Sequence, residues 1–170
     1  MKRLLPLLLL SGCGFTDQST DQSTDHRNTT TTVSGPVCSK KSDYGQYTNY
    51  VTEFKDLVER ATNVRPSDYI SSITWSETAE DTRILAVCNT WYDNNGNIIN
   101  ATIVISPILA GKGVVLERIV ILHELGHCIM NDRHTESTDD LMYPYMSIKI
   151  SEAQANARIE HYMVRLSEGE

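Results

Sequence analysis

The sequence predicts an α+β domain, in which a mixed sheet packs on an N-terminal amphipathic helix and on a second helix buried on every side, with a third helix closing the chain. Three observations carry that expectation. Residues 44–63 place Tyr47, Tyr50, Val51, Phe54, Leu57, Val58 and Ala61 at the i, i+3, i+4 spacing of a one-faced helix. Residues 69–75, 83–92 and 98–105 are rich in Ile, Val, Trp, Tyr and Thr, and turn-forming residues bound them, as they bound strands. Residues 114–130 are apolar on nearly every side, the mark of a helix with no solvent face. A chain of 170 residues holds one domain with a sizeable core.

Before that domain the chain changes character twice. MKRLLPLLLLSGCG opens with Lys2 and Arg3, continues through an apolar run too short to span a bilayer, and ends in small residues. Residues 1–12 therefore read as a secretory signal. Leu10-Ser11-Gly12-Cys13 resembles the bacterial lipoprotein processing box, which implies lipidation of Cys13 and a membrane anchor. With Gly14 after the cysteine, the resemblance implies the outer membrane in a host that has one. Residues 13–36, with the tandem TDQSTDQSTDHR and the run Thr29 to Thr32, have little apolar surface to bury and read as a disordered tether. A coil of that length spans roughly 25 Å on average.

The folded part, residues 37–170, is expected to begin near Val37. Arg65-Pro66-Ser67-Asp68 breaks the first helix. Asp93-Asn94-Asn95-Gly96-Asn97 joins two strands as a hairpin turn, a simpler reading than a calcium loop. Pro107 stops the strand that begins at Ile98. The apolar helix runs from Val114 to Met130; Gly126 inside it costs about 1 kcal/mol against alanine, so close packing is expected there. Ser151-Glu152-Ala153-Gln154 matches a capping box, and Ile159, Tyr162, Met163 and Leu166 give the last helix its buried side.

The chemistry concentrates in HELGHCIMNDRH, residues 123–134, which holds three of the five histidines. His123 and His127 are i and i+4, so their rings share one helical face and can share one metal ion. Glu124 lies about 100° round the helix and can flank that ion without binding it. A straight helix would carry His134 about 16 Å along the axis, so the chain has to leave the helix and fold back for His134 to join. Asn131 suits the reversal, because asparagine tolerates the left-handed conformation. The three ring nitrogens are then expected to converge, with Glu124 as general base beside them.

The segment resembles a metzincin zinc metallopeptidase of the matrixin type, whose pattern is HExxHxxGxxH followed by a Met-turn. Met142, eight residues after His134 in Leu141-Met142-Tyr143-Pro144, is similar to that Met-turn in spacing and sequence. The pattern's glycine is absent, with Asn131 as its stand-in, and the gap from His127 to His134 is one residue longer. The resemblance implies Zn2+ as cofactor, His123, His127 and His134 as its ligands, and Glu124 as the catalytic residue. It implies that Met142 forms a floor beneath the metal and that the strand near Ile98 to Ile105 takes substrate as an added edge strand. Tyr143, Pro144 and Tyr145 are candidates for the side-chain pocket, whereas Asp139 and Asp140 read as solvated loop. The implied function is a membrane-tethered, extracytoplasmic endopeptidase acting on protein or peptide substrates. The alternative is a surface lipoprotein that keeps the frame and works by binding or adhesion; the intact Glu124 favours the enzyme.

Removing Cys13 leaves Cys38, Cys88 and Cys128, and outside the cytoplasm a disulfide is permitted in any of three pairings. Cys128 points about 100° away from His127 and reads as a small core residue or a disulfide partner, not a ligand. His26 and His161 read as capping or hydrogen-bonding residues. The net charge of −7 argues against nucleic-acid partners.

Overall fold

The computed structural model describes residues 30–32, 44–77 and 83–169. Cys13, His26 and Cys38 lie outside them. Strand β1 is Thr30–Thr32; a single 3₁₀ turn, Gly45–Tyr47, leads into helix α1, Thr48–Thr62. Strands β2 (Ile70–Trp75), β3 (Ala86–Tyr92) and β4 (Ile98–Ile105) follow, then helix α2 (Val114–Met130) and helix α3 (Glu152–Glu168). The molecule is mixed α+β, with three helices and a small mixed sheet.

Helix α1 ends earlier than the proline at 66 requires. Asn63 takes the left-handed conformation at φ 58° and returns its N–H to the Glu59 carbonyl, which closes the last turn. The hairpin turn forms as read. Asp93 accepts the backbone N–H groups of Asn95 and Asn97 at 2.8 Å each, and Gly96 takes φ 82°. Those bonds, led by the Asn97 side chain, hold the Asp93 carboxyl below its usual range.

The sheet order is β1-β3-β4-β2, with β3 and β4 antiparallel and β2 parallel to β4. This corrects one expectation. Strand β4 is internal, bonded on both sides, so it has no free edge to offer an extended peptide. On the other side of β4, β3 is covered by β1 only at Thr90–Tyr92, which leaves its Ala86–Asn89 stretch without a second strand partner among the described residues. Within the stretch read as tether, Thr30–Thr32 pair in parallel with Thr90–Tyr92 of β3; β-branched threonine suits an extended backbone.

Helix α2 packs on β3 and β4 on one side and on α1 and α3 on the other. That accounts for its apolar sequence: Ile119, Ile121, Leu122 and Leu125 are fully buried. Ala101, Ile103 and Ile105 of β4 face it from the sheet, and Phe54 of α1 meets Tyr162 of α3 behind it with ring centroids 6.2 Å apart. Arg118 of α2 ties the three helices together, bonding Glu53 of α1 at 3.0 Å and Asn156 of α3 at 2.8 Å. The capping box at Ser151 and Gln154 starts α3 as expected.

Cys88 of β3 and Cys128 of α2 form a disulfide across the sheet–helix interface, with Cα atoms 5.7 Å apart. Of the pairings left open by the sequence, this one staples β3 to the helix that carries the histidines. The closed loop spans 40 positions, so the chain-entropy contribution is about 4 kcal/mol. Replacing both cysteines by alanine is expected to lower unfolding stability by about 2–4 kcal/mol, read from urea denaturation. Reduction of the wild type should give a similar loss, with the other described elements retained in circular dichroism.

Candidate metal centre

Helix α2 delivers His123 and His127 from its C-terminal half, and the loop behind it returns His134 to them. Asn131 takes φ 55° and ψ 27°, the left-handed reversal expected of it, and both its own N–H and that of Asp132 bond back to the Gly126 carbonyl. Tyr92 at the end of β3 donates its hydroxyl to the Asn131 side chain at 2.7 Å and fixes the turn from outside. Farther along, the Thr135 N–H bonds the Met142 carbonyl at 3.1 Å, which brings the ends of the loop together.

The result is a compact triad. The Nε2 atoms of His123, His127 and His134 stand 3.2, 3.2 and 3.1 Å apart. Nitrogens bound tetrahedrally at about 2.0–2.1 Å, the distance for imidazole on zinc, lie about 3.3 Å apart. The three residues therefore fit a single metal ion. His123 and His127 are buried, and His134 is exposed at the mouth.

Backbone carbonyls decide where the protons sit. Nδ1 of His123 donates to the Leu141 carbonyl at 2.7 Å, and Nδ1 of His127 donates to the Asp132 carbonyl at 2.6 Å. A carbonyl only accepts, so each ring in its neutral form carries its proton on Nδ1 and turns a bare Nε2 lone pair inward. Two such lone pairs 3.2 Å apart cannot bond each other, whereas a metal ion between them would take both. Burial keeps both rings neutral, pushing His123 down to about 3 and lowering His127 as well. Neutral imidazole is the form that binds a metal.

Glu124 is buried beside the triad, with the backbone N–H of Cys88 near enough to favour its charged form. Burial raises its pKa to about 8, with the Cys88 N–H opposing the rise. A neighbouring dication would favour the ionised form.

Met142 is fully buried against α2, where a Cβ built on Gly126 would stand 2.5 Å from its Sδ. The expected close packing at Gly126 is thus contact with Met142. Tyr143 and Tyr145 meet edge to face with ring centroids 5.6 Å apart, with Tyr145 exposed, and Arg158 of α3 lies over the Tyr143 ring at 5.5 Å. A cavity of about 240 Å³ beside this loop is lined by residues that include Asp139, Ile150, Gln154 and Arg158, and by none of Tyr143, Pro144 and Tyr145.

The reading of Asp140 as solvated loop is overturned. Its side chain is fully buried; it accepts the Met142 N–H at 2.7 Å and is bonded by His161 and by Arg165, each at 3.1 Å. An exposed-looking sequence position is buried here because α3 brings a guanidinium to neutralise it. Tyr92, Asp132, Asp140, Leu141 and Arg165 all support the triad without forming part of its motif.

Adding zinc at about a hundredfold excess over its dissociation constant is expected to stabilise the protein by about 2.7 kcal/mol, read as a rise in melting temperature. His134→Ala removes an exposed ligand without touching the core. It should fold as the wild type does and lose that zinc-dependent rise.

No family model, curated protein or solved structure matches the chain.

Proposed function

We propose that the protein is a zinc-dependent endopeptidase of the metzincin kind, held at a membrane surface by a lipid on Cys13 and acting on extracytoplasmic proteins or peptides. The observation that carries this reading is the pairing of the inward-facing His123, His127 and His134 nitrogens with a buried carboxylate, Glu124, one position along the same helix. A metal centre that served structure alone would have no use for that carboxylate, which is costly to bury.

His123, His127 and His134 would hold the ion, and as neutral ligands they leave its double charge uncompensated. Zinc bound there would supply Lewis acidity, polarising a carbonyl and easing deprotonation of water. Glu124 takes the proton from the water that attacks the peptide carbonyl and returns it to the leaving amine. Its burial suits the second half of that task, because a carboxyl shielded from solvent holds a proton more readily than one in water. The edge of β3 between Ala86 and Asn89 has no strand partner among the described residues and lies beside Glu124 through Cys88. An extended peptide added there would run past the triad with its backbone bonded to the sheet. Among the described residues no helix is long and apolar enough to cross a membrane, which leaves the lipid as the proposed attachment.

The test pairs zinc content with cleavage of casein. The wild type should bind one zinc per chain and cleave, while Glu124→Ala should bind zinc equally and lose cleavage by about three orders of magnitude or more. Equal cleavage by both would sink the assignment of Glu124. Full zinc occupancy without cleavage by the wild type would return the protein to the class of surface binding lipoproteins.

A further inference from the structure

The weakest point of the metal centre is His134, which stands exposed on a loop one residue longer than the pattern it resembles. What holds that loop comes from α3. Arg165 bonds Asp140 through Nε at 3.1 Å and approaches Asp132 through Nη2 at 3.4 Å, and its guanidinium lies over the Tyr162 ring at 5.0 Å. Asp132 and Asp140 are the two ends of the segment that carries His134.

Each end is also linked to the histidines, Asp132 directly and Asp140 through the backbone beside it. The Asp132 carbonyl accepts the Nδ1 proton of His127 at 2.6 Å. Asp140 accepts the Met142 N–H at 2.7 Å, next to the Leu141 carbonyl that accepts from His123. One guanidinium therefore fixes both flanks of the loop and, through them, the two backbone carbonyls that orient the buried rings. Lysine could not do the same, since an ammonium on a flexible stem lacks the planar fork that serves two carboxylates at once.

We propose that Arg165 is a positioning residue for the metal centre, holding the lengthened loop so that His134 is placed before the ion arrives. The inference rests on metal binding by the three histidines and does not require proteolysis. It assigns to the last helix a role in metal affinity that reaches beyond packing.

The experiment compares the full chain with Arg165→Lys, Asp132→Ala and Arg118→Lys. Asp132→Ala removes one anchor and leaves the carbonyl that accepts from His127. Arg118→Lys loosens the tie among the three helices, through Glu53 and Asn156, without touching the loop. Zinc affinity is measured by competition with a chelator, and the visible absorption of the cobalt-substituted protein reports ligand geometry. Arg165→Lys and Asp132→Ala should each weaken zinc binding by about 10- to 100-fold and alter the cobalt bands. Arg118→Lys should lower the melting temperature yet bind zinc within about twofold of wild type, a difference of under half a kcal/mol.

Zinc affinity within twofold of wild type in both loop variants, with unchanged cobalt spectra, would overturn the proposal. So would an equal loss of affinity in Arg118→Lys, because general loosening would then account for the effect. If Arg165→Lys does not fold, Asp132→Ala decides alone. A wild type that binds no metal would end the metal-centre reading and this inference with it, and its own titration distinguishes that outcome from the others.

Discussion

A carbonyl oxygen accepts hydrogen bonds and never donates one, and at two positions that rule sets the chemistry of this protein. The carbonyls of Leu141 and Asp132 take the Nδ1 protons of His123 and His127. Both rings are thereby fixed in rotation and in tautomer, with their lone pairs aimed at a common point that His134 also faces. Left without a cation, those lone pairs repel at about 3.2 Å, so the geometry is stable only if other interactions impose it. The rest of the fold can be read as what imposes it.

Helix α2 is the rigid member. With the sheet on one side and two helices on the other, it has no freedom to tilt, and the histidines keep their one-turn separation. Gly126 lets Met142 reach the helix surface, and that contact sets the height at which the Leu141 carbonyl meets His123. A side chain at 126 would push the Met142 turn outward and take the carbonyl with it. The disulfide works from the opposite side. It joins Cys128, next to His127, to Cys88, whose N–H approaches Glu124, so β3, the carboxylate and the second histidine are held in one unit.

Much of this was legible in the sequence, for local reasons. Spacing along one helix places His123, Glu124 and His127, and the preference of asparagine for left-handed backbone places the reversal at Asn131. The Asp93–Asn97 turn and the Ser151 capping box are equally local, and each forms as read. The misreadings share a cause, which is long-range pairing. Strand order is a property of the assembled sheet, so nothing within residues 98–105 shows that β4 lies inside it. Asp140 has the look of a solvated loop residue until α3 delivers Arg165 from 25 positions away. The Cys88–Cys128 bridge could be named only once β3 was known to run beside α2. A faint signal did exist for Arg165: it sits at i+3 from Tyr162 and i+4 from His161, so it shares the flank of a helix whose buried face was already recognised.

Charge explains why the support comes in this form. His123 and His127, held neutral by burial, offer an ion no compensating charge, and a dication in a largely buried site costs several kcal/mol without some. The carboxylates of Asp132 and Asp140 belong to the same loop as the carbonyls that orient the rings, and neither occupies a ligand position. Unbalanced, the buried Asp140 carboxylate and the half-buried Asp132 beside it would repel each other and lose solvation, and that loss already raises the Asp132 pKa. Arg165 resolves both demands with one side chain. It meets Asp140 through Nε and Asp132 through Nη2, so one guanidinium faces both carboxylates. The same three residues that brace the loop therefore also hold in place the carbonyls to which the buried rings donate.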